Sequence, residues 1–293
     1  MNYRVKHVTR VKYDGLVNLA RFNLRLKPVE WPGQTLTGYR LDISPVPRVI
    51  INESGPFLVN LARLTLDKPT ASLTVTSEFS VRVDPPLAGL ATHAPSLAEV
   101  RHQALADRGL TARDPATYLF ASTMATMAPE IAAWAAPFLA GDSGIITAAA
   151  ALMNAIHQQF VYDSKATKAD TPPIQAFRAR HGVCQDFAHI MIIALRHAGI
   201  PAAYVSGYLR TNPPPGKARL VGADATHAWV NVWCGAGLGW IGFDPTNAML
   251  AGTDHIFTAM GRDFADVSPV DGVFIGRVGQ RMKVAVEVTP LDR

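Results

Sequence analysis

Several large protein classes are excluded by what this sequence has little of. Only two of the 293 residues are cysteine, Cys184 and Cys234, so no disulfide framework holds the fold, and a chain of this length buries a core without one. Charged residues are scarce, at 17% against 48% hydrophobic, the reverse of the balance that keeps a chain disordered. Long apolar runs are missing: Ile145 to Met153 and Ala188 to Leu195 reach about half of the roughly 20 residues that a bilayer crossing needs. The first residues, Met1-Asn2-Tyr3-Arg4-Val5-Lys6-His7, alternate charge with apolar groups and hold no hydrophobic segment of a secretory kind. No Asp-x-Asp-x-Asp-Gly run suggests calcium, and Cys184, His189, His227 and Asp244 match no compact zinc spacing. There is no clustered Lys/Arg run with interleaved aromatics of the kind that binds nucleic acid. The expectation is a globular, reduced, cytoplasmic protein with no metal, no cofactor, no membrane span and no nucleic-acid partner.

What is present divides into two regions. Residues 1–84 carry 12 basic and 7 acidic groups, so all of the net +5 charge lies there, as a solvated sheet face or as a surface that steers an acidic partner. This region reads as strands. Leu73, Val75, Phe79, Val81 and Val83 fall at alternate positions among polar residues, as do Phe22, Leu24 and Leu26, while Arg4, Lys6, Arg10 and Lys12 share one side of the first strand. Proline and glycine turns separate about six such runs, which predicts an antiparallel β-sandwich-like domain. Beyond Asp84-Pro85-Pro86, Ser96-Leu97-Ala98-Glu99 opens a helix with a capping box, and Asp114-Pro115 predicts a second, N-capped one. Alanine-rich helices at 128–140 and 145–160 follow, then a short helix to Arg180 and an apolar one from Cys184 to Ala198. Strand-like runs lie at 203–209, 227–234 and 240–243, with shorter ones near 255–260 and 283–288. The fold expected is α+β, with an N-terminal β domain over 1–90 and an α/β core over 91–293.

The stretch Arg180-His181-Gly182-Val183-Cys184-Gln185-Asp186-Phe187 puts a cysteine in the first turn of a helix. Unpaired N–H groups and the positive dipole end favour thiolate there, although a buried core cysteine has the same local sequence. His227 begins an apolar strand, and Asp244 ends the next. If the two strands form a hairpin through Gly235-Ala236-Gly237-Leu238-Gly239, the carboxylate lies alongside the imidazole and a nucleophile, base and orienting acid are complete. The glycines themselves suit a hairpin better than a phosphate loop, since no helix follows them. Cys234 ends an apolar strand and reads as a small buried hydrophobe.

These segments together resemble the transglutaminase-like superfamily, also described as transglutaminase-like cysteine proteases. Gly182-Val183-Cys184-Gln185-Asp186-Phe187-Ala188-His189 and the run 199–208 look like the family's cysteine helix and following strand. Thr226-His227-Ala228-Trp229 and Asp244-Pro245-Thr246-Asn247 look like its histidine and aspartate motifs, and the likeness continues through Gly261-Arg262-Asp263 to Val273. The N-terminal region is similar to the β domain of a bacterial branch, with one departure at Asn52-Glu53-Ser54-Gly55-Pro56. The resemblance implies a papain-like core and assigns nucleophile, base and orienter to Cys184, His227 and Asp244. Tyr162, Gln185 and Trp229 are the candidates for oxyanion or substrate contact, together with the Cys184 backbone N–H; for Tyr162 a core or stacking role is the alternative.

The reading that follows is a thiol enzyme acting on a peptide or protein substrate through a thioester, resolved by water in a protease or amidase, or by an amine in a crosslinking enzyme. An arylamine-type acetyltransferase would need a coenzyme A site, of which the sequence has no sign. A peptide-binding protein with a vestigial triad is the alternative from outside enzymology. The sequence does not specify an oligomeric state.

Overall fold

The computed structural model describes residues 1–85, 94–210 and 226–291. Six strands come first: β1 (Asn2–Val17), β2 (Leu19–Leu24), β3 (Gln34–Ser44), β4 (Val49–Ser54), β5 (Asn60–Leu66) and β6 (Thr70–Val83). There follow helices α1 (Leu97–Ala106), α2 (Pro129–Ala135) and α3 (Ile145–Gln159), strand β7 (Val161–Tyr162), helix α4 (Pro173–Ala179), strand β8 (His181–Gly182) and helix α5 (Cys184–His197). The chain then forms β9 (Ala202–Leu209), β10 (Thr226–Trp233), β11 (Trp240–Asp244), β12 (Met249–Leu250), β13 (His255–Gly261), α6 (Phe264–Val267), β14 (Val270–Ile275) and β15 (Gln280–Leu291).

Two antiparallel four-stranded sheets, β15-β1-β6-β3 and β14-β2-β5-β4, make the β unit. The two-residue alternation in β1 and β6 sends every second side chain inward. Val11 and Tyr13 from one sheet meet Phe22, Leu24 and Leu64 from the other in a shared core, which makes the unit a sandwich. The outward residues include Arg4, Lys6, Arg10 and Lys12, all exposed.

The composition of this unit differs from the division expected at residue 90, a position that lies outside the described residues. Its last two strands come from the far end of the chain: β15 pairs along β1 from Asn2↔Leu291 to Tyr13↔Gln280, and β14 pairs along β2. Residues from 270 onward therefore belong in space to the sandwich. The reason is physical: β1 and β2 would otherwise be open edges, which a strand from the same chain closes.

A third antiparallel sheet, β12-β11-β10-β9-β13, carries the helices on one face. Against it lies α5, in which every residue from Asp186 to Arg196 is buried, as befits a helix apolar all round. Its Ile190, Ile193 and Ala194 join Ala228, Val230 and Val232 of β10, with α3 packed behind. Buried Arg196 donates to the carbonyls of Ala202, Phe120 and Arg262 and to Ser122 Oγ, which satisfies a charge that could not otherwise stay in the core. The opposite face of the sheet, with Val205, Trp229 and Phe257, packs toward Trp31 and Leu58 of the β unit.

The capping box at Ser96 is formed in both directions: Glu99 N–H donates to Ser96 Oγ, and Ser96 N–H donates to the Glu99 carboxylate. Asp114 does not cap a helix. Only a single 3-10 turn follows it, over Pro115–Tyr118, because its carboxylate is turned back to accept from Thr111 N–H at 2.7 Å. The glycine run 235–239 is a hairpin turn, closed by Cys234 N–H donating to the Gly239 carbonyl and by the antiparallel pairing Val230↔Phe243.

Candidate active site

Cys184 is the first residue of α5. Val183 at the N-cap has no side-chain acceptor, so the helix start is capped from inside: the Asp186 carboxylate accepts from Val183 N–H at 2.8 Å and from Thr167 Oγ at 2.6 Å. A side chain at Gly182 would place its Cβ 2.8 Å from Asp186, so glycine is required for the carboxylate to fold back beneath the turn. Burial pushes Asp186 above the usual carboxylate range, against the lowering effect of its Thr167 and Val183 bonds. Among the described residues the backbone N–H groups of Cys184 and Gln185 have no hydrogen-bond partner, which leaves them as donors to an incoming oxygen.

His227 sits at the start of β10, and its Nε2 lies 2.7 Å from Asp244 Oδ2 at the end of β11. Nδ1 is the ring nitrogen left to face Cys184, whose effect on His227 adds to that of Asp244. Burial alone would lower the affinity of His227 for its proton, but the hydrogen bonds and charges of Asp244 and Cys184 outweigh it and push the value up to about 10. For Asp244 burial acts upward, and the hydrogen bonds from His227, His255 and Asn247 reverse it, holding the carboxyl well below its usual range.

Asp244 is 0% exposed and accepts five hydrogen bonds. Its Oδ1 takes the backbone N–H groups of Thr246 at 2.9 Å and Asn247 at 3.2 Å, the geometry of an Asx turn. Its Oδ2 takes His227, the Asn247 side-chain amide at 2.7 Å and His255 Nε2 at 3.0 Å. His227, Asp244 and His255 have donor atoms within 4.8 Å of one another. The separations of 2.7 and 3.0 Å are hydrogen-bond lengths, shorter than the roughly 3.3 Å between ligands of a tetrahedral zinc ion with bonds of about 2.0 Å, so shared protons account for the arrangement. His189, weighed in the sequence as a zinc ligand, lies inside the core instead, accepting from Phe264 N–H and lying over Tyr204.

The three residues proposed for oxyanion or substrate contact fall in different places. Tyr162 is 54% exposed, rests edge-on against Phe187, and is close enough to Cys184 for the sulfur's charge to add to the effect of burial in raising its hydroxyl. Gln185 is engaged elsewhere, its amide donating to the Ala169 carbonyl at 2.8 Å. Trp229 is buried, at 2% exposed. It lies beside the His227 ring and meets His255 edge-on at 5.3 Å. Its ring covers Gly207, opposite His227 on β9, where any Cβ would collide with the indole and with the Ile256 carbonyl. Trp229 is thus the floor under the two histidines. Cys234 is 0% exposed, and burial pushes its thiol far up.

Sequence reasoning missed the roles of His255 and Asn247. Asn247 stands in the quoted aspartate motif, where a side-chain amide three residues after the acid is the available signal. His255 begins an apolar strand just as His227 does, without a surrounding motif.

The Transglutaminase-like superfamily model matches residues 132–245, and the Bacterial transglutaminase-like N-terminal region matches residues 3–82. An uncharacterized protein of Mycobacterium tuberculosis is 35% identical over 99% of this chain and 93% of its own length. The chain belongs to the transglutaminase-like superfamily. A protein-glutamine gamma-glutamyltransferase of Pseudomonas aeruginosa is 41% identical over 101 residues, 33% of this chain and 15% of that protein. Among solved structures, a candidate cysteine protease from Cytophaga hutchinsonii superposes with a TM-score of 0.75 at 20% identity, over 100% of this chain and 93% of that one. Its likeness shows the shared fold. No helix among the described residues is long and apolar enough to cross a membrane.

Proposed function

We propose that this superfamily member is a thiol-dependent acyl-transfer enzyme acting on peptide or carboxamide bonds, with water as the usual acceptor. The observation that carries the reading is the buried His227–Asp244 bond of 2.7 Å placed beside Cys184 at the first turn of α5, where Cys184 and Asp244 together raise His227 to about 10. The Cys184 sulfur, its proton passed to His227, attacks the carbonyl carbon. The oxygen of the tetrahedral intermediate takes the free Cys184 N–H. His227 Nδ1–H protonates the departing amine, leaving a thioester on Cys184. Water attacks that thioester, giving a proton back to His227, and the acid product leaves with the thiolate restored. Asp244 keeps Nε2 protonated throughout and so fixes Nδ1 as the working nitrogen. The two unpaired cysteines agree with a reducing, cytoplasmic setting.

A second reading is favoured by the 41% identity of one third of the chain to a protein-glutamine gamma-glutamyltransferase: a primary amine, in place of water, resolves the thioester. Incubation of the full chain with casein and a fluorescent primary amine separates the two. Ammonia or new amino termini that depend on Cys184, without label in the casein, support hydrolysis. Faster label incorporation establishes transfer. If neither product appears and Cys184→Ser binds peptide as wild type does, the protein is a binding module.

A further inference from the structure

Asp244 is oriented by more than its own turn. The Thr246 and Asn247 backbone donors hold Oδ1, and from the same turn the Asn247 side-chain amide donates to Oδ2 at 2.7 Å. Oδ2 is gripped from the far side of the sheet as well. In the strand order β12-β11-β10-β9-β13, His255 opens β13, two strands from β10 and three from the strand that carries Asp244. Its Nε2 nevertheless lies 3.0 Å from Asp244 Oδ2. On β9 His255 stands opposite Leu209, two residues along from the Gly207 that faces His227.

The tautomer of His255 is set by its other nitrogen. Nδ1 faces Gly252 N–H at 3.2 Å, and a nitrogen that accepts this bond carries no proton, so the ring's proton is on Nε2 and points at Asp244. The side chain is 2% exposed, so water does not compete for that bond. Trp229 packs edge-on against the ring.

On the reading that Cys184, His227 and Asp244 form a working triad, we propose that His255 is a positioning residue that clamps Oδ2 of Asp244, so that the carboxylate is shared between two imidazoles and stays aimed at His227. The reaction then depends on a fourth side chain, in a segment outside the three motifs. Without the clamp only the Asn247 amide holds Oδ2 against pivoting, His227 is less firmly kept in its tautomer, and Cys184 reacts more slowly.

The test uses iodoacetamide alkylation of Cys184 in the full chain at pH 7, which needs no knowledge of the substrate, with urea unfolding as a control for folding. His255→Leu removes the donor and keeps apolar bulk; His255→Gln keeps an N–H donor at a similar reach. Alkylation is expected to slow about tenfold in His255→Leu and to stay within about threefold of wild type in His255→Gln. A packing role predicts the opposite order, because leucine suits a buried site better than an amide. If His255→Leu does not fold, His255→Asn replaces it, since that amide is too short to reach Asp244. Wild-type rates in His255→Leu, or equal slowing in the Leu and Gln variants, overturn the proposal. His227→Ala is run alongside: an unchanged rate there defeats the triad itself, whereas slowing in His227→Ala with none in His255→Leu defeats only the clamp.

Discussion

Asp244 Oδ2, sealed from water, meets His227 Nε2 at 2.7 Å across the β10–β11 hairpin. This bond ties stability to pH. The folded value for His227, about 10, is above the 6.5 of a free histidine, so the stabilisation is fully present below pH 6.5 and is lost as pH rises through about 10. The unfolding free energy in urea is expected to fall between pH 7 and 10 in the wild type. His227→Gln should flatten that slope, and an unchanged slope would remove the pair from the account.

Asp244→Asn is expected to fold, because the amide can occupy the same turn, and to lose turnover by a factor of about 10⁴ on any substrate the wild type accepts, since an amide N–H forces the ring into the wrong tautomer. Retained turnover would show that Asp244 does not orient the base.

The two thiols should separate cleanly in a labelling experiment. Cys184 is partly exposed beside His227, and Cys234 is sealed in the core with its thiol pushed far up by burial. At pH 7, iodoacetamide should modify Cys184 at least about a hundredfold faster, as read by peptide mass spectrometry of the folded protein. Equal rates would contradict the burial of Cys234.

Two buried histidines set the acid limit. Burial holds His7, between Tyr208 and Thr9, and His189, beneath Tyr204, down to about 4. Each folded value is below the unfolded one, so the unfolded chain takes up protons first and stability declines as pH falls from about 6.5 to 4. In urea titrations at pH 7 and pH 4.5, His7→Gln is expected to lose less stability on acidification than the wild type; equal losses would place the acid sensitivity elsewhere.

Across β1 and β15 two like-charged pairs face each other, Arg10↔Lys283 and Lys12↔Arg281, and of these Arg281 has an ion-pair partner in Asp14. Lys283→Glu is expected to stabilise the sandwich by about 0.5 kcal/mol, with the gain shrinking at high salt. Destabilisation at low salt would show that the pairs do not repel.

Much of this arrangement is legible in the sequence because the signals are local. Helix α5 announces itself by apolar spacing and by the turn at Gly199, and the alternation in β6 fixes which face is inward. His227 and Asp244 stand at the ends of apolar runs joined by a short glycine turn, so the hairpin that brings them together can be drawn from spacing alone. What is not legible depends on partners far away in sequence. Nothing near Gln280 says that it lies opposite Tyr13. His255 meets Asp244 only through the stacking order of five strands, which no periodicity encodes. Trp229, a candidate for substrate contact in the sequence, owes its burial to the slot that Gly207 opens for its ring. Asp114 misleads for a related reason, since its carboxylate has a nearer donor in Thr111 than in the turn it precedes.

The pairing of β1 with β15 also bears on how the protein fails. During synthesis β1 emerges long before its outer partner β15, so until β15 follows a sixteen-residue strand has one row of N–H and C=O groups unpaired. Proteolytic loss of β15 would recreate that state in the finished molecule. Such an edge accepts a strand from any neighbouring chain, so a copy that has lost β15 is set to clump with its fellows while its helices are still intact.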